Sequence, residues 1–156
     1  MLKICNIKDK KEYLNEVATL TQLEWGSTTI SKEEFNKKIE KKIQKIVDNL
    51  ENPYYCKLIL LDDDILVGFI SIFPSDGEER NDLYPWYATM YVKEEYRGKG
   101  YSKLLNKAIL EEANNRNFKR LYLKTDLKDY YEKFGAIYFG DLSNGEKLYY
   151  IDTKNR

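Results

Sequence analysis

From Trp86 to Thr125 the chain runs strand, glycine-rich loop, helix and strand, with almost nothing between them. "WYATMYV" is rich in aromatic and apolar residues and reads as a strand. After "RGKGYS", Leu104, Leu105, Ala108, Ile109 and Ala113 recur on one face of a helix. "FKRLYLKT" then returns to strand spacing. Two strands joined through a helix in one sheet lie parallel, and such a crossover is right-handed. This unit commits the chain to a sheet containing a parallel pair.

The other segments build around that pair. "MLKICNI" alternates apolar and polar residues as a short strand does. Asp9, with Glu12 three residues on, is predicted to cap a helix reaching about Trp25, with Leu14, Val17, Ala18 and Thr21 on one face. Ser31 and Glu34 have capping-box spacing. Behind them Phe35, Ile39, Ile43, Ile46, Val47 and Leu50 recur at helical spacing, and Pro53 closes the helix. "CKLILL", Asp62-Asp63-Asp64 and "ILVGFISIF" read as a hairpin. The adjacent aspartates lack the spacing of a calcium loop and fit a tight turn. Asp126 is predicted to cap a short helix, "KDYYEKF", ended by Gly135. "AIYFG" and "KLYYID" flank the turn "DLSNG". The order β-α-α-β-β-β-α-β-α-β-β predicts an α+β fold with a mixed, mostly antiparallel sheet and helices on both faces. It forms a single domain over residues 1–156.

Charge and residue usage narrow the chemistry. Lys plus Arg number 26 and Asp plus Glu number 26, so net charge is zero. That argues against a dedicated nucleic-acid or membrane-surface binder. The longest nearly apolar run, Ile65 to Phe73, is too short to span a bilayer. "MLKICNIKDKKEY" lacks the apolar stretch of a signal peptide, so a cytoplasmic protein is expected. There is no His, which excludes Ser-His and Cys-His nucleophile schemes and His-ligated metals. Cys5 and Cys56 lie far apart and read as small buried hydrophobes, so no metal site is expected. Any acid or base must be Asp, Glu, Tyr, Lys, Cys or water.

The loop at the mouth of the crossover helix, within "EEYRGKGYSKLL", has the chemistry of an anion site. Gly98 and Gly100 let the backbone turn sharply and leave its N–H groups uncovered. Those groups, with the first free amides of the helix, attract phosphate, and Arg97, Lys99 and Lys103 add positive charge. A Walker A loop needs Ser or Thr after Gly-Lys, whereas Gly100 follows Lys99. The dinucleotide fingerprint needs a third Gly where Lys103 stands.

The arrangement resembles the GNAT superfamily of acetyl-CoA-dependent N-acetyltransferases. Its pyrophosphate loop reads Arg or Gln, two residues, Gly, one residue, Gly or Ala. Arg97, Gly100 and Ser102 hold those places in "RGKGYS". "ATMYV" and "KEEY" match what precedes the loop, and "YYEKFGA" matches the "YEKxGF"-like motif after it. Ser102 replaces Gly or Ala, and Ala136 replaces the usual aromatic after Gly135.

The resemblance implies an acyltransferase moving acetyl from acetyl-CoA directly to a primary amine of a small molecule or peptide in a ternary complex; the alternative is a non-catalytic acyl-CoA-binding module of the same fold. No nucleic acid, membrane or metal is implied as a partner, and the chain is expected as a monomer or homodimer. Met90, Tyr91 and Val92 would pair with the pantetheine arm, and Arg97, Gly98, Lys99, Gly100, Tyr101 and Ser102 would hold the pyrophosphate. Tyr131 would act as general acid toward the leaving thiolate. A Lys-like amine, with pKa about 10.4, is under about 0.1% neutral at pH 7, so a base is needed. The acidic loop "SDGEERND" offers Asp76, Glu78, Glu79 and Asp82, of which Glu79 is the residue expected to serve as that base. Trp25 and Trp86 are expected to line the acceptor cleft.

Overall fold

A computed structural model describes residues 1–154. Seven strands form one sheet: β1 (Leu2–Asn6), β2 (Cys56–Asp62), β3 (Ile65–Phe73), β4 (Trp86–Val92), β5 (Arg120–Thr125), β6 (Ile137–Asp141) and β7 (Lys147–Asp152). Their spatial order is β1-β2-β3-β4-β5-β7-β6. The β4–β5 pair is parallel and all the others are antiparallel. The crossover between them is α3 (Tyr101–Asn115), as the sequence predicts.

Three helices cover the sheet. α3 packs Leu105, Ile109, Leu110 and Ala113 against Leu58, Leu60, Val67 and Leu121. The opposite face is covered by α1 (Leu14–Trp25) and α2 (Lys32–Asn49), through Leu14, Val17 and Ile46 on Ile59, Leu61 and Phe69. Leu104 is exposed, and Asn106 takes the buried place beside Leu105, accepting a 2.8 Å bond from the Tyr87 hydroxyl. Ser31 caps α2 by accepting from the Glu34 amide. Asp63 and Asp64 make the hairpin turn in left-handed conformations, as short polar side chains tolerate.

Two expected caps do not form. Asp9 lies in a 3-10 turn, Ile7–Asp9, and a second, Lys11–Tyr13, leads into α1 without a side-chain cap. Asp126 caps nothing either. The Leu127 amide instead donates to Thr125 Oγ1, and the segment narrows to a 3-10 turn, Tyr131–Phe134. Gly135, at φ +92°, ends that turn as expected.

Candidate active site

The parallel pair opens almost as soon as it forms. Among the described residues, Trp86 opposite Tyr122 is the one β4–β5 register pair. Beyond it the strands part because β4 carries a bulge. Ala88 and Tyr91 face Ser71 and Phe69 of β3, so β4 spends one residue more than β3 over that stretch. Thr89 sits in the bulge at φ +49°, an outlier for a β-branched residue. The edge of β4 from Met90 onward therefore turns its backbone to a gap. A cavity of about 1240 Å³ occupies that gap and runs along the α1–α2 side of the sheet.

At one end lies the glycine loop. Gly98 and Gly100 adopt φ +80° and +81°, where L side chains are disfavoured, and a Cβ on either would meet nothing within 4 Å. Gly100 is the N-cap of α3 and supplies no side-chain cap. The first amides of α3 are therefore left for an outside acceptor. Arg97 Nε donates to the Val92 carbonyl at 2.8 Å, which fixes the loop to the end of β4. Its guanidinium lies over the Tyr91 ring. Tyr96 and Tyr101 stack across the loop.

Tyr131 lines the cavity and meets Tyr87 and Tyr130 edge to face at 5.9 and 4.8 Å. Burial, with Tyr130 beside it, pushes the Tyr131 phenol up to about 12. The lining also carries Glu24, Trp25, Asp76, Lys124, Asp126 and Glu146, with Trp25 edge to face on Tyr91 at 6.2 Å. Asp76 is held by Lys124 at 3.8 Å, and burial raises its carboxyl above the ordinary range.

Of the residues expected from sequence, Met90, Tyr91, Val92, Arg97, Gly98, Gly100, Tyr101, Ser102, Tyr131 and Trp25 line this cavity. Lys99 turns away, with its amine over the Tyr96 ring. Trp86 does not reach the cavity. It is 1% exposed, packs on Leu142, Leu148 and Tyr122, and donates from Nε1 to the Leu83 carbonyl. Glu79 is also elsewhere. Its carboxylate accepts from the Ser143 amide and hydroxyl, on the turn between β6 and β7, and these bonds hold it below the ordinary carboxylate range. Both bonds favour the charged, weakly basic form, which is the reverse of what a general base needs.

Sequence reasoning assigned no role to Lys57, Ser71 and Thr89. They form a linked polar group on the α1–α2 face, with Lys57 and Thr89 on the cavity wall. The signal was present: in "CKLILL" strand alternation places Lys57 on the same face as Ile59 and Leu61. The two cysteines are free, and burial pushes the Cys56 thiol up to about 12, as suits a small buried hydrophobe. Among the described residues there is no cluster of metal-ligating side chains, and no helix is long and apolar enough to cross a membrane.

Comparison with known proteins points one way. The model of the acetyltransferase (GNAT) family matches residues 17–136. The spermine/spermidine N(1)-acetyltransferase of Bacillus subtilis (strain 168) is 32% identical over 110 residues, covering 65% of this chain and 72% of that protein. An N-acetyltransferase from Staphylococcus aureus Mu50 superposes with a TM-score of 0.75 at 19% identity, over 99% of both chains. An aminoglycoside 6'-N-acetyltransferase complexed with coenzyme A superposes with a TM-score of 0.74 at 19% identity, over 99% of this chain and 98% of that one. At such identity these two structures speak for the fold.

Proposed function

The chain belongs to the acetyltransferase (GNAT) family and is an acyltransferase that uses acetyl-CoA, and on that premise we propose direct transfer of the acetyl group to a primary amine of a small polycationic acceptor. One observation carries the reading. A single cavity joins the glycine loop, the open edge of β4 and Tyr131, and its lining carries four carboxylates, Glu24, Asp76, Asp126 and Glu146, interspersed with Lys42, Lys45, Lys57, Lys124 and Lys133. Lys124 engages Asp76, whereas Glu24, Asp126 and Glu146 make no ion pair among the described residues and would draw a cationic guest, to which Trp25 and Tyr91, 6.2 Å apart, give aromatic surface. A polyamine acceptor also agrees with the name of the Bacillus relative.

The loop suits a pyrophosphate. Its two glycines leave open space, the amides of α3 lack a cap, and Arg97 stands beside them. Met90 and Tyr91 would offer backbone groups to the pantetheine arm, as an edge strand does, while the Val92 carbonyl is already taken by Arg97. Bound there, the thioester supplies the electrophilic carbonyl. The remaining work falls to the chain. β4 holds the reactants side by side, which removes the entropy cost of their meeting. Tyr131, on the cavity wall, would offer its hydroxyl to the leaving sulfur. At about 12 its phenol lies well above a Cys-like thiol at about 8.5, so full proton transfer is uphill by roughly 5 kcal/mol. Tyr131 therefore acts as a hydrogen-bond donor that stays protonated through the working pH range. Cys56, buried and held as the thiol, carries no acyl group.

Thiol release from acetyl-CoA across a panel of amines tests the reading. Spermidine-like amines should turn over, and monoamines of equal length should be slower. A panel with no amine-dependent release of thiol overturns it and leaves a module that only binds acyl-CoA.

A further inference from the structure

The mechanism above still lacks a group to take the proton of the acceptor ammonium. Glu79 is turned away, yet a buried amine lies on the acceptor side of the sheet with no task assigned. Lys57 is 3% exposed. The β2–β3 register sets it opposite Ser71, and Nζ lies 2.6 Å from Ser71 Oγ. Ser71 Oγ lies 2.7 Å from Thr89 Oγ1, which is itself 3.5 Å from Nζ. Phe69 and Phe73 flank the amine at 5.3 and 5.5 Å. Among the described residues no carboxylate reaches ion-pair distance of it.

A structural role explains this poorly. A buried ammonium without a carboxylate is destabilising, and an apolar side chain would fill the same space. Thr89 adds a second oddity, since its backbone is held at φ +49° in the bulge that opens the cavity. That bulge puts its hydroxyl at the cavity wall and joins it to Ser71 behind.

Resting on the transferase reading, we propose that Thr89, Ser71 and Lys57 form the route by which the acceptor amine loses its proton. The ammonium proton passes to Thr89 Oγ1 as the Thr89 hydroxyl proton passes to Ser71 Oγ. The Ser71 hydroxyl proton passes to the lone pair of neutral Lys57 Nζ. The result is a neutral acceptor and a Lys57 ammonium, with both hydroxyls restored. Lys57 lines the cavity, so the proton leaves to water after transfer. In the amine form the Ser71 hydroxyl donates to Nζ, and in the ammonium form Nζ donates to Ser71.

The surroundings favour this use. Burial is the largest influence on Lys57 and lowers it to about 7; Cys56 opposes this weakly and Lys42 of α2 adds to it. Other charged and titratable groups that line the same cavity include Lys45 of α2, Glu24 of α1, Tyr55, Tyr87, Tyr91, Tyr131, Asp126, Glu146 and Asp76, the last already engaged by Lys124. An amine poised near neutrality is suited to accept a proton at physiological pH.

The full-length enzyme with acetyl-CoA and spermidine, followed from pH 5.5 to 9.5, gives the test. Wild-type kcat should rise through a limb near neutrality. Lys57→Met should lower kcat at pH 7 by about 10²-fold and lose that limb. Lys57→Arg keeps the charge but cannot release the proton, and should be as slow. Thr89→Val should lose the limb as well, and carries the test if Lys57→Met does not fold. Without acetyl-CoA, the lysine side-chain ¹³Cε resonance missing from Lys57→Met should titrate near neutrality. Wild-type rate and limb in Lys57→Arg, or a resonance that titrates with the exposed lysines, overturns the relay. If the wild-type enzyme acetylates no amine, the function reading fails and the relay with it. Turnover with an unchanged limb in Lys57→Met and Thr89→Val sinks the relay alone.

Discussion

On the proposed reading, the donor end of the cavity is built from backbone and the acceptor end from side chains. At the donor end the parts are two glycines at positive φ, the uncapped start of α3 and the open edge of β4. They lie within residues 86–103, and each depends on local conformation. At the acceptor end Trp25, Lys57, Ser71, Asp76 and Thr89 come from different strands, a helix and a loop. No local rule ties them together. A backbone site must keep glycine and a short loop at fixed spacing, whereas a side-chain site can be assembled by any register that brings the residues together.

The largest expected effect breaks the donor end. Gly100→Asp forces an L side chain to φ +81°, at about 1–2 kcal/mol, and sets a carboxylate where phosphate would lie. Wild-type protein at 100 times the Kd of acetyl-CoA should gain about 2.7 kcal/mol, or a rise in Tm of about 5–10 °C. The variant should show no rise in a thermal-shift assay. A full shift in Gly100→Asp places the cofactor elsewhere. Next in size, Tyr131→Phe should cut kcat by about 10²-fold with the acetyl-CoA Kd unchanged, whereas Tyr130→Phe should be nearly silent. Because burial raises the Tyr131 phenol to about 12, its protonated form persists, and the Tyr131-dependent rate should stay level up to pH 10. Equal turnover by Tyr131→Phe and wild type removes its assigned role.

What could be read beforehand follows the same division. The crossover unit and the positive-φ glycines were legible because each element is specified within a few residues of itself. Tyr131 was singled out by the resemblance of "YYEKFG" to the family motif, and it does line the cavity. The expectations that failed depended on longer reach. Glu79 belongs to an acidic loop near β4 in sequence, but the β6–β7 turn captures its carboxylate across 64 residues. Trp86 begins the right strand yet packs into a small core with Leu142 and Leu148, which only the sheet order brings near. Asp9 and Asp126 had cap chemistry, but 3-10 turns follow them, so no helical amide is presented at the right distance. Lys57 belongs to no motif, and only its parity in β2 puts it on the apolar face of Ile59 and Leu61.

A smaller effect sharpens the acceptor end through stability. Folded Lys57, near 7, lies below an unfolded lysine at about 10.4. Between those pH values the unfolded chain holds a proton that the folded chain does not. Stability of the wild type therefore rises with pH across that window. Lys57→Met lacks this slope, and Ser71 and Thr89 still satisfy each other. The variant should be more stable by about 1–4 kcal/mol at pH 6, with the difference closing toward pH 10, as read from urea unfolding. A difference that does not change with pH means that Lys57 is not held neutral.

The smallest effect belongs to Glu79→Gln. An acidic side chain serving as the base would cost about 10²-fold or more on loss of its charge. Glu79 instead accepts two bonds from Ser143 at the surface, away from the cavity. Glutamine keeps one acceptor oxygen for that turn. With spermidine and acetyl-CoA, kcat should stay within about twofold of wild type, and its neutral limb should be unmoved. The trace left by the change should be in stability. Because the Ser143 bonds lower the Glu79 carboxyl, the stability it contributes is present above the ordinary carboxylate range and is lost as pH falls through its folded value. Wild type and Glu79→Gln should therefore differ slightly in Tm at pH 7 and converge in acid. A large loss of kcat in Glu79→Gln, with Lys57→Met unaffected, would move the acceptor's proton route from the β-sheet face to the surface loop.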